Sequence, residues 1–328
     1  MRIAVVGVGR IGVFHARHVQ ELAAERGDCV LAALVDGYGD LAARVAAELQ
    51  DGQEAPIAAF EDVAALVAAG AADGAFIASR TEDHYRDART LIDAGMRVLL
   101  EKPLTHSLAT AREFAAYLDA DDFRRTALMQ AFMRRFDGPL LYAKEHIDRG
   151  AIGTPFKIAW FSGQRPERVG GCGSLLYNQG ITDVEEDFDD AFLQLYFPGA
   201  LVGQIAVSRN HVAGYRNETW AYGPEGVVHV GAFSEDPLQV EVEVIGRGGL
   251  VARREFPLRD YGVAAPVFMG RFGLAYKAEL AYYLDQCVAG APFAVDHGAG
   301  LAALEVAVAG SGALRKKSEE IAVEFTRM

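Results

Sequence analysis

Cysteine is scarce in this chain: Cys29, Cys172 and Cys287 are the only three in 328 residues. They are widely spaced and odd in number, so they outline neither a disulfide framework nor a metal-ligand spacing, and a reducing cytoplasm is the expected compartment. Basic charge is also short, with 32 Lys and Arg against 45 Asp and Glu and a net charge of −13. A balance of that sign works against nucleic acid or an anionic membrane as partner. No apolar run reaches the roughly 20 residues of a membrane span. No signal peptide is expected, because a strand-like run opens at Arg2, and no repeat or low-complexity tract stands out. Metal-ligand patterns are missing too. His15 and His18 lie three residues apart without a carboxylate or Cys partner, and read as helix-surface or packing residues. The acids Glu185, Glu186, Asp187, Asp189 and Asp190 come without a glycine-punctuated ligand loop, and read as a solvated loop.

What the chain does have is a phosphate-type turn. Gly7-Val8-Gly9-Arg10-Ile11-Gly12 follows the apolar run Ile3–Val6. Such a spacing ends a strand and opens a helix. The first glycine permits the tight turn, the second lets a pyrophosphate approach the backbone, and the third allows close helix–strand packing. The phosphates would rest on the free N–H groups at the helix start. A second apolar run, Val30–Val35, ends in Asp36. An acid there takes ribose hydroxyls and repels a 2′-phosphate, so NAD is expected. NADP is disfavoured, because Gly37-Tyr38 follows with no adjacent Arg. A tight turn without a ligand is the plain alternative.

Length allows two domains, each with its own core. Strand and helix signals alternate through the first third. Strand-like runs include Gly74–Ser79, Arg97–Leu100 and Thr126–Phe132, and helical stretches include Ile11–Glu25, Asp40–Leu49, His84–Asp93 and Ser107–Asp119. This β-α alternation predicts a doubly wound parallel Rossmann sheet. After about residue 150 the character changes. Strand signals follow one another at Phe156–Gly163, Phe192–Phe197, Leu201–Arg209, Asn217–Gly223, Val227–Ala232 and Gln239–Ile245. Two helical stretches close the chain, Tyr276–Ala289 and Gly298–Ala313. The expected class is α/β: an NAD-binding domain over 1–124, then an α+β domain with an open, largely antiparallel sheet over 125–328. The active site is expected in the cleft between them.

Strand ends carry the chemistry of an open α/β sheet. One is Ser79-Arg80-Thr81, followed by His84. Another is Glu101-Lys102-Pro103. A Lys beside a nicotinamide can hydrogen-bond the reacting oxygen and stabilise developing negative charge. Burial and the positive ring of the cofactor would lower its pKa, making it a proton donor. The cofactor set is thus Gly7, Gly9, Arg10, Ile11, Gly12, Asp36, Ser79, Thr81, His84, Glu101 and Lys102. Pro103 fixes the backbone, with a cis bond as one option. Arg134 can clamp a substrate hydroxyl or pair with Asp137. Gln164, Arg165 and Arg168 follow a strand toward the expected cleft, and Arg209, His211 and Tyr215 are further candidates for it.

Taken together, the glycine turn, Asp36, Glu101-Lys102-Pro103 and Met133-Arg134-Arg135-Phe136-Asp137 resemble the glucose–fructose oxidoreductase and inositol 2-dehydrogenase (Gfo/Idh/MocA) family, nearest its inositol dehydrogenase branch. Arg271-Phe272, Tyr276, Glu279 and the last Ala- and Leu-rich helix fit the same family. The resemblance implies NAD(P)-linked hydride transfer at a ring carbon of a sugar or cyclitol, and homodimers or homotetramers built through the second-domain sheet. One departure stands out. Family members carry an Asp and, four residues later, a His base at the opening of a second-domain helix. Asn178 and Thr182 occupy those places here, and neither is a base near pH 7. The segment from Asp183 to Phe192 is also shorter than in the family, with its helix cut to a stub around Val184–Asp187. Three explanations follow. Lys102 carries the proton alone or through water. Tyr177 or Asp183 replaces the His. Or the activity is lost or altered, leaving a regulatory dinucleotide-binding protein or one that uses its redox chemistry for elimination. Lys102, Asp183 and Tyr177 are therefore the catalytic candidates. Lys102, Arg134, Arg165, Asn178 and Thr182 are the substrate contacts.

Overall fold

The computed structural model describes residues 1–158, 165–175, 188–209, 215–231, 239–260, 267–316 and 319–326. The chain forms two compact units. The first takes Met1–Met133, Tyr276–Leu304 and Thr326–Met328, and the second Arg134–Ala275 and Glu305–Phe325. The first unit therefore runs past residue 124 and recruits a stretch from the far end of the sequence.

In the first unit, β1 (Arg2–Val6), β2 (Val30–Val35), β3 (Ala58–Phe60), β4 (Gly74–Ile77), β5 (Arg97–Leu100) and β6 (Leu128–Gln130) make one sheet in the order β3-β2-β1-β4-β5-β6. All its pairs are parallel. This order reverses direction beside β1, where an open sheet leaves a crevice for a ligand. The central strands are apolar because helices cover both faces: Ile3, Ala4, Val5, Phe76, Ile77, Val98, Leu99 and Leu100 are fully buried. The covering helices are α1 (Arg10–Arg26), α2 (Leu41–Gln50), α3 (Val63–Ala68), α4 (His84–Asp93), α5 (Leu108–Asp119) and α6 (Asp122–Ala127). Helix α1 stops where Gly27 takes the left-handed conformation, φ 72°, and its N–H closes on the Ala23 carbonyl. Ser107 caps α5 and Asp121 caps α6 through side-chain acceptors.

The stretch expected as a strand over Thr126–Phe132 is shorter. Its first residues end α6, and a 3-10 turn at Met133–Phe136 follows β6. Helix α7 (Gly138–Asp148) then opens the second unit with a proline in its first turn. The second sheet contains β7 (Lys157–Ile158), β8 (Arg168–Ser174), β9 (Asp190–Tyr196), β10 (Val202–Ser208), β11 (Thr219–Gly223), β12 (Gly226–Val230), β13 (Gln239–Gly246), β14 (Gly249–Pro257) and β15 (Ile321–Ala322). Its order is β14-β13-β12-β11-β7-β10-β9-β8-β15. Among the described residues of this sheet only the β10–β7 pair is parallel. One face of β11–β13 packs on α7 through Ala221, Val228, Val230, Val242 and Val244, against Leu140 and Ala143. Helices α8 (Val267–Ala289) and α9 (His297–Arg315) complete the chain. Among the described residues no helix is long and apolar enough to cross a membrane.

Candidate active site

The glycine turn is built as its spacing requires. Gly7 sits at φ +83°, and a Cβ there would come within 2.6 Å of the Ala78 and Ser79 backbone. A Cβ on Gly12 would stand 1.7 Å from the Gly7 carbonyl oxygen. Both positions are closed to any side chain by the protein itself. Gly9 is different, because a Cβ there would meet nothing within 4 Å. It is the N-cap of α1 in extended conformation, with no side chain capping the first N–H groups of the helix. That is the cradle a phosphate group needs.

Asp36 stands at the tip of β2. One carboxylate oxygen accepts the Val8 N–H at 2.9 Å and the other the Tyr38 N–H at 2.9 Å. The acid is thereby fixed beside the glycine turn, with lone pairs left for ribose hydroxyls. A cavity of about 720 Å³ opens here, lined by Gly7, Asp36, Tyr38, Ser79, Arg80 and Arg86 among others. No Arg follows Asp36 in the sequence, and the two arginines come to this cavity from the end of β4 and from α4. Both already have acid partners: Arg80 with Asp83 at 3.2 Å, and Arg86 with Asp83 and Asp87 at 2.9 Å. Arg86 is not singled out by the sequence, because nothing local marks a helix residue of α4 as lining a cavity beside β2. The donor set fits an NAD adenosine and its pyrophosphate.

The strand ends of β4 and β5 form the other part of this unit's site. The Ser79 hydroxyl donates to Asp87 at 2.8 Å. His84 is buried, with Nδ1 2.9 Å from the Pro103 carbonyl and Nε2 3.2 Å from the Ser79 carbonyl. Its ring is spent on bracing the two strand ends against each other, and any effect on a ligand passes through them. Thr81 lies half-buried in the following turn. Lys102 is exposed, contrary to the expected burial, and its peptide bond to Pro103 is cis. The Glu101 side chain folds back so that Oε2 accepts the Lys102 backbone N–H at 3.0 Å. His15 and His18 are not on the surface. Both are buried, and His15 stacks on Phe76 at 3.9 Å.

In the second unit, Arg134 does not pair with Asp137. It donates to the Asn217 side-chain oxygen and lies over the Phe272 ring at 5.0 Å. Asp137 instead takes both terminal nitrogens of Arg271 at 2.7 Å, with the pair almost wholly buried. Burial first, then the neighbouring Arg271 charge, pull the Arg134 pKa down. Arg165 lies over the Phe325 ring at 5.0 Å, and Arg168 pairs with Glu320. The Arg209 backbone N–H donates to the Asp189 carbonyl at 2.9 Å, and Tyr215 is half-exposed. Asp189 departs from the expected solvated loop: it is buried at the foot of β9, and its N–H donates to Ser174. Tyr177, Asn178, Thr182 and Asp183 lie outside the described residues, as do Gln164 and His211. Among the described residues no three His, Cys, Asp or Glu side chains gather as metal ligands.

A doubly wound sheet, a glycine turn with open space over its middle glycine, and an acid at the tip of β2 define a dinucleotide-binding oxidoreductase domain. Residues 1–124 match the model of the Gfo/Idh/MocA oxidoreductase family with NAD-binding Rossmann fold, and NAD is the cofactor. The likeness continues beyond that domain. The chain is 25% identical over 350 residues to myo-inositol 2-dehydrogenase of Thermotoga maritima, covering 97% of each. It is also 25% identical over 325 residues to the NAD(+)-dependent scyllo-inositol 2-dehydrogenase of Bacillus subtilis, covering 88% of this chain and 86% of that one. The structure of scyllo-inositol dehydrogenase from Lactobacillus casei with bound NAD(H) and scyllo-inositol shares the fold, with a TM-score of 0.80 at 20% identity over 98% and 99% of the two chains. The protein is an NAD-linked oxidoreductase acting on CH–OH groups.

Proposed function

We propose that the chain interconverts a ring alcohol and ketone of an inositol or a closely related sugar, with Lys102 as the protic group on the reacting oxygen. NAD supplies the hydride acceptor. The likeness to inositol dehydrogenases along nearly the whole chain supports the substrate class. It also weighs against a non-catalytic or elimination role. The observation that carries the Lys102 assignment is the placement of Glu101-Lys102-Pro103 at the end of β5, one strand from β4 and two from the glycine turn after β1. An ammonium there can bind the alcohol oxygen, accept its proton once neutral, and return it in the reverse direction. With Asn178 and Thr182 in place of an acid and a base, Lys102 is the strand-end residue left to do this. In this reading Asp36 holds the ribose, Ser79 and Thr81 shape the β4 end, and Arg134 and Arg165 reach for substrate hydroxyls. Tyr177 and Asp183 are the alternative carriers of the proton.

The test is Lys102→Met. Turnover of inositols should fall by about 10²–10⁴-fold, the usual worth of a general acid–base, while NAD affinity stays near that of the parent. Retained turnover sinks the assignment, and a parallel loss in Tyr177→Phe or Asp183→Asn reassigns the proton. We further infer a cytoplasmic homodimer or homotetramer. Cys172, Phe192 and Ala206 stand in register on β8, β9 and β10, all exposed, and give a second copy a flat sheet face to cover. Light scattering on the purified chain decides this, and a monomer at micromolar concentration would refute it.

A further inference from the structure

Behind Lys102 lies a buried cluster of ionisable groups that the reaction above does not use. His15 of α1 and Glu279 of α8 are 0% exposed, and Glu101 is 8% exposed. All three belong to the first unit. Glu101 is their hinge. Its Oε2 accepts the Lys102 backbone N–H at 3.0 Å, and its Oε1 faces His15 Nε2 at 3.7 Å. Packing rather than hydrogen bonding sets the His15 ring: it stacks on Phe76 at 3.9 Å and meets Tyr276 edge-on at 5.1 Å, with His18 at 5.9 Å. Among the described residues neither oxygen of Glu279 has a partner at regular hydrogen-bond geometry.

An anion at Glu279 would be stripped of water and would face the charge of Glu101. Burial first, and Glu101 second, push this carboxyl well above the usual carboxylate range. The Phe132 backbone offsets only part of that. Both causes favour the acid form of Glu279. Glu101 is the carboxylate with an N–H on it.

We propose that Glu279 and His15 are positioning residues that act through Glu101, holding its carboxylate against the Lys102 main chain and so fixing where the Lys102 side chain starts. The proposal rests on the reading of Lys102 given above. In it, an un-ionised Glu279 sets no second negative charge against Glu101, and the packed His15 ring walls off the other oxygen of Glu101. Neither Glu279 nor His15 touches substrate.

Three variants and two readouts test it. Infrared spectroscopy of the protein without cofactor at pH 7 should show the carbonyl stretch of an un-ionised carboxyl group, and Glu279→Gln should lack it. Glu279→Gln, which keeps the shape of the neutral acid, should hold kcat close to the parent. Glu279→Leu should lower kcat by about ten- to a hundredfold, the scale set by an ångström of misplacement, with KM for NAD little changed. His15→Leu should move kcat the same way. A missing acid band overturns the proposal while leaving the Lys102→Met result untouched. So does a Glu279→Leu variant with parental kcat, or one whose loss appears equally in KM for NAD and in melting temperature. Should Glu279→Leu fail to fold, the band and the Glu279→Gln kinetics still decide. Turnover surviving in Lys102→Met, with the acid band present, refutes instead the reading on which the proposal rests.

Discussion

Single residues of this protein divide by what a substitution would meet. Gly9 and Gly12 share one motif, yet a methyl group on Gly12 collides with the Gly7 carbonyl, whereas one on Gly9 points into open space. Gly12→Ala should therefore destabilise the fold by about 1–3 kcal/mol, as overpacking does. Gly9→Ala should leave the denaturation midpoint unchanged and weaken NAD binding instead, which calorimetry reads directly. Equal effects of the two on stability would deny the open cradle over Gly9. Glu279 makes a prediction in pH. Its folded pKa is raised above the ordinary 4.5, so the folded chain keeps a proton that the unfolded chain releases. The sign follows: stability from this group is complete below about pH 4.5 and falls as pH rises toward the folded value, by up to about 1.4 kcal/mol per pH unit. The charge that acts on it is that of Glu101, with the Phe132 backbone opposing. Urea denaturation of parent and Glu279→Gln at pH 5 and pH 7 should show the variant gaining on the parent at the higher pH. An equal difference at both values would place the carboxyl in its ordinary range.

Elements show why some of the structure could be read from sequence and some could not. The strands of the first sheet are buried on both faces, so Ile3–Val6, Val30–Val35 and Arg97–Leu100 are plain apolar runs, and their alternation with helices gave the parallel sheet. Strand β8, Arg168–Ser174, carries three glycines and little apolar signal. Its glycines are wanted because a side chain on Gly171 or Gly173 would meet Leu193 or Phe188, a demand made by neighbours distant in sequence. Strand β14 is exposed along most of its length and rich in Arg, so it has no alternating pattern to see. Helix α7 was missed because Gly138-Pro139 reads as a break, although proline suits a first turn. The site divides likewise. The glycine turn, Asp36 and Lys102 are local signals, whereas the pairing of Asp137 with Arg271, 134 residues apart, is not. That pair joins the start of α7 to α8, and Asp137 caps no N–H of its own helix. Asp137→Ala should cost about 3–5 kcal/mol, because it strands a buried guanidinium. Adding Arg271→Met should restore much of the loss. A single variant no less stable than the double one would show that the bridge carries little weight.

At the scale of the whole molecule, the NAD-binding unit is not a contiguous stretch of sequence. A cut at residue 124 or 133 follows the visible change from β-α alternation to successive strands, but it removes Tyr276–Leu304 from the unit it belongs to. The missing piece carries the fully buried Leu280 and Tyr283, and its Leu301 sits in the same core as Ile77, Leu100 and Phe114. The Tyr283 hydroxyl donates to the Arg97 carbonyl at 2.7 Å. Arg97 in turn donates to the carbonyl of Gln286 at 2.5 Å and to that of Ala291, so β5 is tied to this segment from both sides. Burying large apolar side chains contributes about 1.5–3 kcal/mol each, which is a large share of the 5–15 kcal/mol by which a domain is stable. A fragment of residues 1–133 should thus melt well below the intact chain and bind a dye that reports exposed apolar surface, although it holds the whole glycine turn and Lys102. Joining residues 276–304 to its end through a flexible linker should restore a cooperative thermal transition. A 1–133 fragment that melts as sharply and as high as the intact chain would show that the returning helices lie on a core already complete without them.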